Sequence, residues 1–405
     1  MVCRFPCLLN RPAARLNSMS MRYRILGRSG VRVPVLGFGC MRLPRLPGRK
    51  DSKRKNAVDE RAAIELIHRA YELGIDYFDT AYSYHMGWSE VVLRKALRGL
   101  PRDRLMVADK MPVWMVKQPK DFERLLRTQL RRLGTDYLDF YLLHALNART
   151  WGIAKKHGAL DFLEAARRDG RIRHIAFSFH DKLPLFREIV DAHDWAFAQV
   201  QYNIVDTAEQ AGRAGVRYAA KKGLGVVVME PLRGGDLVGP FPSNVSRTWE
   251  AMRPKRAPVE WLLRWLWDQS EISMVLSGMS SLEQLEENVK AARGAGTGSL
   301  TGDHRRAIAR VASTYRRMRR VGCTGCDYCQ PCPQGVKIPM VFRLYNELGM
   351  FPESRDLRFQ YREMRSVLKL DACTECNACV EKCPKKLEIP ALLKEVAEAL
   401  SQYAD

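Results

Sequence analysis

Eight cysteines gathered into two short units constrain this chain more than any other feature of its sequence. The first unit, CTGCDYCQPCPQGVKIP, spaces Cys323, Cys326, Cys329 and Cys332 as C-x2-C-x2-C-x2-C-P. The second, CTECNACVEKCPKKLEIP, spaces Cys373, Cys376, Cys379 and Cys383 as C-x2-C-x2-C-x3-C-P. Thiolates two residues apart wrap three corners of an iron–sulfur cubane, with backbone amides turned to the sulfides, and the Cys-Pro turn sends the fourth thiolate elsewhere. Zinc and disulfides are the competing readings, but zinc sites use two pairs of ligands rather than tight runs of four. Cys3, Cys7 and Cys40 stand apart and are read as non-ligands of the clusters. Such clusters imply a reducing compartment, hence the cytoplasm.

The spacer between the units (MVFRLYNELGMF, LRFQYREMRSVL) reads as helical. The segment therefore resembles the α-helical ferredoxins of dehydrogenases more than the compact bacterial ones. In two-cluster ferredoxins the fourth thiolate of each unit ligates the other cluster. The resemblance thus implies two [4Fe-4S] clusters with crossed ligands. Cys323, Cys326, Cys329 and Cys383 would hold one, and Cys373, Cys376, Cys379 and Cys332 its partner. The second unit matches the ferredoxin pattern in full; the first is one residue short before its last cysteine.

Ahead of these units, from about residue 21 to 295, apolar runs alternate with amphipathic stretches. The runs are VPVLGFG, IDYFDT, LMVADK, YLDFYLLH, HIAFS, FAQVQ, VVVME and SMVLSG. Helical patterns such as DERAAIELIHRAYELG and SLEQLEENVKAARG lie between them, several closing on Gly after a basic last turn. Eight strands each followed by a helix predict a (β/α)8 TIM barrel, with the opening VRVPVLG starting as a hairpin that plugs the barrel bottom. A doubly wound sheet is the alternative, disfavoured because no GxGxxG follows the first strand. The chain is thus expected to divide into an N-terminal extension (1–20), the barrel (21–295) and a small, mostly α-helical ferredoxin-like two-cluster domain (296–405) that opens with a basic helix.

The net charge of +22 is unevenly placed: residues 1–56 hold fourteen Lys or Arg against Asp51. With no zinc-finger, RNP or helix-turn-helix signature beside it, the block is read as a solvated basic arm and loop, not a nucleic-acid site. Residues 1–20 lack the apolar region and cleavage site of a leader, and are read as an over-long start or a disordered tail. No run of about 18 apolar residues predicts a membrane span.

Within the barrel, FDTAYSYHMGWSE resembles the signature of the aldo-keto reductases. A strand-end Asp79 is followed five residues later by Tyr84, the third strand ends at Lys110, and the fourth ends at His144. The resemblance makes these four a catalytic tetrad at the C-terminal face, where active sites of this fold sit. Tyr84 would donate a proton, Lys110 would lower the phenol pKa, Asp79 would hold Lys110, and His144 would orient the carbonyl. It also places Ser178, Gln199 and Met229 at the nicotinamide, Gly278, Ser280, Gln284, Glu287 and Asn288 at the adenosine phosphates, and Gly39 and Cys40 among the cofactor-binding residues. Phe179 stands where the family has Asn, and Met229 where many members stack an aromatic ring. Members preferring NADP carry cations where this chain has Gly278 and Gln284, so NAD is expected to bind at least comparably to NADP. Arg233, from the neighbouring loop, could substitute for those cations.

The resemblance therefore implies an oxidoreductase that uses NAD or NADP on a small-molecule carbonyl substrate. The competing readings are an electron-transfer protein whose barrel is a docking scaffold, and a nucleotide-binding regulatory module. A nicotinamide yields two electrons as hydride whereas a cubane takes one, so direct exchange is not expected. The chain has no flavin fingerprint, though a phosphate site on the barrel face could hold FMN without one. The basic helix 304–320 suits an acidic electron carrier, a ferredoxin or flavodoxin.

Overall fold

The computed structural model describes residues 20–46 and 57–403. The N-terminal extension other than Ser20, and part of the basic block, lie outside the described residues.

β1 (Tyr23–Ile25) and β2 (Arg32–Pro34) pair antiparallel as a hairpin. Eight strands then close a barrel in chain order: β3 (Leu36–Gly39), β4 (Tyr77–Asp79), β5 (Met106–Met111), β6 (Leu138–Leu146), β7 (Ile172–Phe179), β8 (Phe197–Gln201), β9 (Gly225–Met229) and β10 (Met274–Ser277). β10 lies beside β3, and Val275 aligns with Leu36 in a parallel ladder. This is the (β/α)8 barrel; an open doubly wound sheet would leave two edges. The apolar run VPVLGFG is divided between the hairpin and the barrel. Pro34 has no N–H to continue a ladder, so it ends β2, and the barrel strand begins at Leu36.

The hairpin seals the N-terminal end. Leu26 and Val33 are fully buried and pack with Tyr77, Phe140, Phe197 and Met274 of the barrel interior. The hairpin turn approaches backbone closely at Gly27: φ is +52°, and a Cβ there would lie 2.2 Å from the Gly225 nitrogen. Only glycine fits that position.

Around the barrel run α1 (Glu60–Glu72), α2 (Trp88–Leu97), α3 (Lys120–Leu133), α4 (Ala148–Lys156), α5 (Ala159–Arg168), α6 (Leu183–Asp191), α7 (Gly212–Lys221) and α10 (Leu282–Arg293); α8 (Ser243–Ala251) and α9 (Pro258–Trp267) precede the last barrel strand in sequence. Their starts follow local chemistry: Asp59 caps α1 by accepting from Ala62 N–H, and Ser281 caps α10 by accepting from Gln284 N–H. Period-two alternation sorts the strand side chains. In β7, Ala176 joins the interior cluster, whereas Phe177 and Phe179 pack outward on Phe186 of α6, with ring centroids 5.9 and 5.1 Å away.

The barrel strands and most of these helices form one compact unit; residues 201–212, 230–266 and 300 onward form another. In the second unit, α11 (Gly302–Arg317) starts at a Thr301/His304 capping box and buries Ile308, Val311 and Tyr315 with Trp249, Trp261 and Phe351. Arg316 donates to the carbonyls of Ile204 (2.7 Å) and Val205 (3.0 Å), and Arg319 pairs with Glu209 (3.0 Å). Two arginines of the basic stretch 304–320 thus anchor the loop after β8. A second core joins α12 (Ile338–Met350), α13 (Arg355–Leu368) and α15 (Ile389–Ser401) through Phe342, Leu344, Leu357, Tyr361, Leu393 and Val396. The short α14 (Ala378–Glu381) lies within the second cysteine unit.

Gly27→Ala is expected to destabilise the protein by at least about 2 kcal/mol, from left-handed strain plus overpacking. A lowered denaturant midpoint checks this; an unchanged midpoint would mean the hairpin is not seated on Gly225.

Candidate active site and metal centre

Asp79 ends β4, Lys110 lies one residue before the end of β5, and His144 lies near the end of β6. Strand alternation points Asp79 and Lys110 toward one another. Lys110 is 0% and Asp79 3% exposed. The Lys110 Nζ donates to Asp79 Oδ1 at 2.5 Å and to the Thr80 carbonyl at 2.7 Å, and it lies 3.5 Å from the Tyr84 hydroxyl. Tyr84 sits in the loop after β4. Three successive left-handed residues, His85 (φ 49°), Met86 (φ 58°) and Gly87 (φ 83°), follow it and turn the chain into α2. Non-glycine residues in that region carry strain, so the surrounding packing must hold this turn in place. His144 meets the Tyr84 ring edge-on at 6.0 Å. The four residues singled out in the sequence therefore stand together.

The electrostatics refine one expectation. Burial raises the Tyr84 pKa above its ordinary value, and the opposing pull of Lys110 does not offset it. Lys110 was expected to lower that pKa; it acts in that direction, but desolvation is larger. Burial also disfavours the Lys110 charge, yet Asp79 and Tyr84 outweigh it and the ammonium is retained. Asp79 is pushed up by burial against the pull of Lys110. For this pair the buried 2.5 Å contact supports an ammonium facing a carboxylate. Burial, with Lys110 and His180, drives the His144 pKa well below the usual range, so the imidazole is neutral.

Ser178 Oγ accepts from Ala145 N–H at 2.8 Å, and the Gln199 Oε1 is buried without a partner. Gln199 Nε2 lies 3.7 Å from the Met229 sulfur, which brings these two together. Phe179 belongs to the helix layer, so its side chain takes no place beside Ser178. Gly39 and the buried Cys40 close β3; burial raises the Cys40 thiol. At the start of α10, Gln284 Oε1 accepts from Ser280 N–H at 2.9 Å, while Asn288 turns inward to Ser277 Oγ at 2.9 Å. Glu287 is exposed. Arg233 is paired with Asp206 (2.6 Å) and Glu347 (3.2 Å).

Two nearby side chains escaped the sequence reading. Trp114 lies 5.1 Å from His144 between ring centroids. Arg42 crosses Gly278: its Cβ, Cγ and Cδ would each lie 3.2 Å from a Cβ placed there. Both follow a strand end by three residues, so the rule that sites lie in loops beyond barrel strands would have found them.

The cysteines gather into two groups of four. Cys323, Cys326, Cys329 and Cys383 line one cavity with Ile338 and Phe342; Cys332, Cys373, Cys376 and Cys379 line another with Pro390 and Leu393. Among the described residues no three His, Cys, Asp or Glu side chains converge as one ion would need. A cubane instead spreads four thiolates over four irons, which suits thiols ringing a cavity. The loops repeat residue for residue: Gly325 (φ 66°) matches Glu375 (φ 56°), and Asp327 (φ 67°) matches Asn377 (φ 59°). Gly325 N–H points at Cys323 Sγ, 3.4 Å away. Among the described residues no helix is long and apolar enough to cross a membrane.

Residues 35–294 match the aldo/keto reductase family, and residues 322–387 match a 4Fe-4S dicluster domain. The chain is similar to an NADH-specific methylglyoxal reductase of Escherichia coli, 27% identical over 278 residues, which cover 58% of this chain and 83% of that protein. It is similar to an L-galactose dehydrogenase of Arabidopsis thaliana, 29% identical over 308 residues, covering 66% and 87%. Among solved structures it resembles the holo form of an aldo-keto reductase from Bacillus halodurans. That match has a TM-score of 0.60 at 26% identity and covers 72% of this chain and 96% of the other.

Proposed function

The chain belongs to the aldo/keto reductase family, in the subgroup with a C-terminal 4Fe-4S domain, and on that premise we propose that it reduces a carbonyl compound with NADH or NADPH at the C-terminal face of its barrel. The buried contact of Lys110 with Asp79 and Tyr84 carries the reading. Bound nicotinamide would supply hydride. Tyr84 keeps its proton at neutral pH and can give it to the oxygen on which negative charge develops. The ammonium 3.5 Å away stabilises the phenolate left behind, while Asp79 and the Thr80 carbonyl fix that ammonium. His144, neutral, would orient the carbonyl beside Trp114.

The residues fit a nicotinamide cofactor. The unpartnered Gln199 Oε1 can accept from a carboxamide, Ser178 has a hydroxyl hydrogen to give, and Met229 can cover a ring. Gly278, Ser280, Gln284 and Glu287 would border the phosphates at the α10 N-terminus, with Arg42 the cation alongside. The curated relatives are named for methylglyoxal, L-galactose and L-glyceraldehyde 3-phosphate, all small oxygen-rich carbonyl compounds or their alcohols. A substrate of that class is the one proposed.

The eight cysteines would hold two [4Fe-4S] clusters in the crossed sets, supported by their grouping around two cavities. Exchange between nicotinamide and clusters would need a carrier able to take two electrons and give one, such as FMN. A one-electron carrier would meet the clusters at Cys326 and Cys376, both exposed.

Tyr84→Phe is expected to lower kcat about a hundredfold or more while nucleotide affinity holds; near-normal kcat would overturn the tetrad. Anaerobically purified protein should carry about eight iron and eight sulfide, as two cubanes require. Cys332→Ser should lower both, and about four of each in the unsubstituted protein would overturn the two-cluster reading.

A further inference from the structure

Behind Lys110, on the outer side of β5, lies a buried polar group for which the proposed reduction has no use. Strand alternation turns Asp109 out of the barrel interior toward the helices, where it meets Glu90 of α2. Both are 0% exposed. One oxygen of each is satisfied: Asp109 Oδ1 accepts from Lys110 N–H at 2.7 Å, and Glu90 Oε2 accepts from Arg132 Nη1 at 2.7 Å. Asp109 Oδ2 and Glu90 Oε1 are buried without a partner. The two carboxyls lie within hydrogen-bonding reach of one another. Two buried anions in contact, with one guanidinium paired to Glu90, would be costly.

We propose that Glu90 and Asp109 share one proton, carried on Asp109, and that the pair positions and isolates Lys110 by keeping a second negative charge off its strand. A single proton satisfies both orphaned oxygens at once. Arg132 marks Glu90 as the anion. Burial and the neighbouring Glu90 raise the Asp109 carboxyl well above the carboxylate range. The other titratable groups around Asp109 are Lys110 itself, Tyr141 from β6 and Cys40 from the end of β3, and Arg132 and Gln129 of α3 face Glu90. The same group holds the strand and the tyrosine loop: Gln129 Nε2 donates to the Lys110 carbonyl at 3.0 Å, and Arg132 stacks 4.4 Å over Tyr82, two residues before Tyr84. An ionised Asp109 would draw on the Lys110 field that otherwise falls on the Tyr84 oxygen.

The test has two arms on full-length, cluster-loaded protein. Infrared spectra at neutral pH should show a protonated-carboxyl C=O band that Asp109→Asn removes; no such band in the unsubstituted protein, or a band that survives the substitution, overturns the shared proton. Glu90→Gln offers an N–H to Asp109 and lets it ionise, so it should remove the same band, and it serves if Asp109→Asn does not fold. The second arm rests on the carbonyl-reduction reading. Glu90→Gln should lower kcat about tenfold, as one pKa unit at Tyr84 would, with KM held and the pH profile of kcat displaced. A lost band with an unmoved profile would overturn the positioning role. A merely structural Glu90 would reduce stability alone. Absence of turnover in the unsubstituted protein would remove the reductase reading and leave the infrared arm standing.

Discussion

The Lys110 ammonium, closed off from water inside the barrel, makes demands that shape everything around it. An unpaired buried charge costs several kcal/mol. Here the cost is offset by Asp79 at 2.5 Å and the Thr80 carbonyl at 2.7 Å, both supplied by the neighbouring strand and its first loop residue. That arrangement needs the strand register that aligns Asp79 with Ala108. It also needs the left-handed run after Tyr84, which returns the phenol to within 3.5 Å of the charge. The carboxyl pair behind the strand adds nothing to that compensation; by holding one proton it leaves Asp79 as the anion that faces Lys110.

The cysteine loops solve a different problem with similar means. A thiol ring around a cavity leaves little room for a regular backbone, so both loops adopt left-handed residues at matched positions, Gly325 with Glu375 and Asp327 with Asn377. The helices α12, α13 and α15 supply the apolar core that the loops lack, through Phe342, Leu357, Leu393 and Val396.

The sequence made the fold legible because period-two apolar runs separated by helical stretches admit few arrangements, and because cysteine spacing reads directly as ligand geometry. Asp79, Tyr84, Lys110 and His144 were visible because each marks a strand end or the loop just beyond. Less was visible where side chains meet across the sheet. Arg42 reaches Gly278 only because β3 and β10 are neighbours in the closed barrel. Glu90 meets Asp109 because the helix after β4 covers β5. Phe179 replaces a polar residue, yet it faces α6, which single-residue comparison does not reveal. The sign of the Tyr84 shift was also beyond the sequence, since burial rather than the nearest charge decides it.

Two redox chemistries are proposed for this chain, one moving electrons in pairs with a proton and the other moving them singly. In the proposed reduction the first belongs to the barrel, where hydride passes directly to the carbonyl carbon and Tyr84 supplies the proton. The most direct measurement is to reduce a small aldehyde anaerobically, in cluster-loaded protein, with nicotinamide nucleotide deuterated at the transferred position, and to locate the label. Direct transfer predicts one deuterium on the carbinol carbon of every product molecule, from one face of the nicotinamide. Unlabelled alcohol, or label lost to solvent, would mean that the electrons travel by another carrier and would contradict the account.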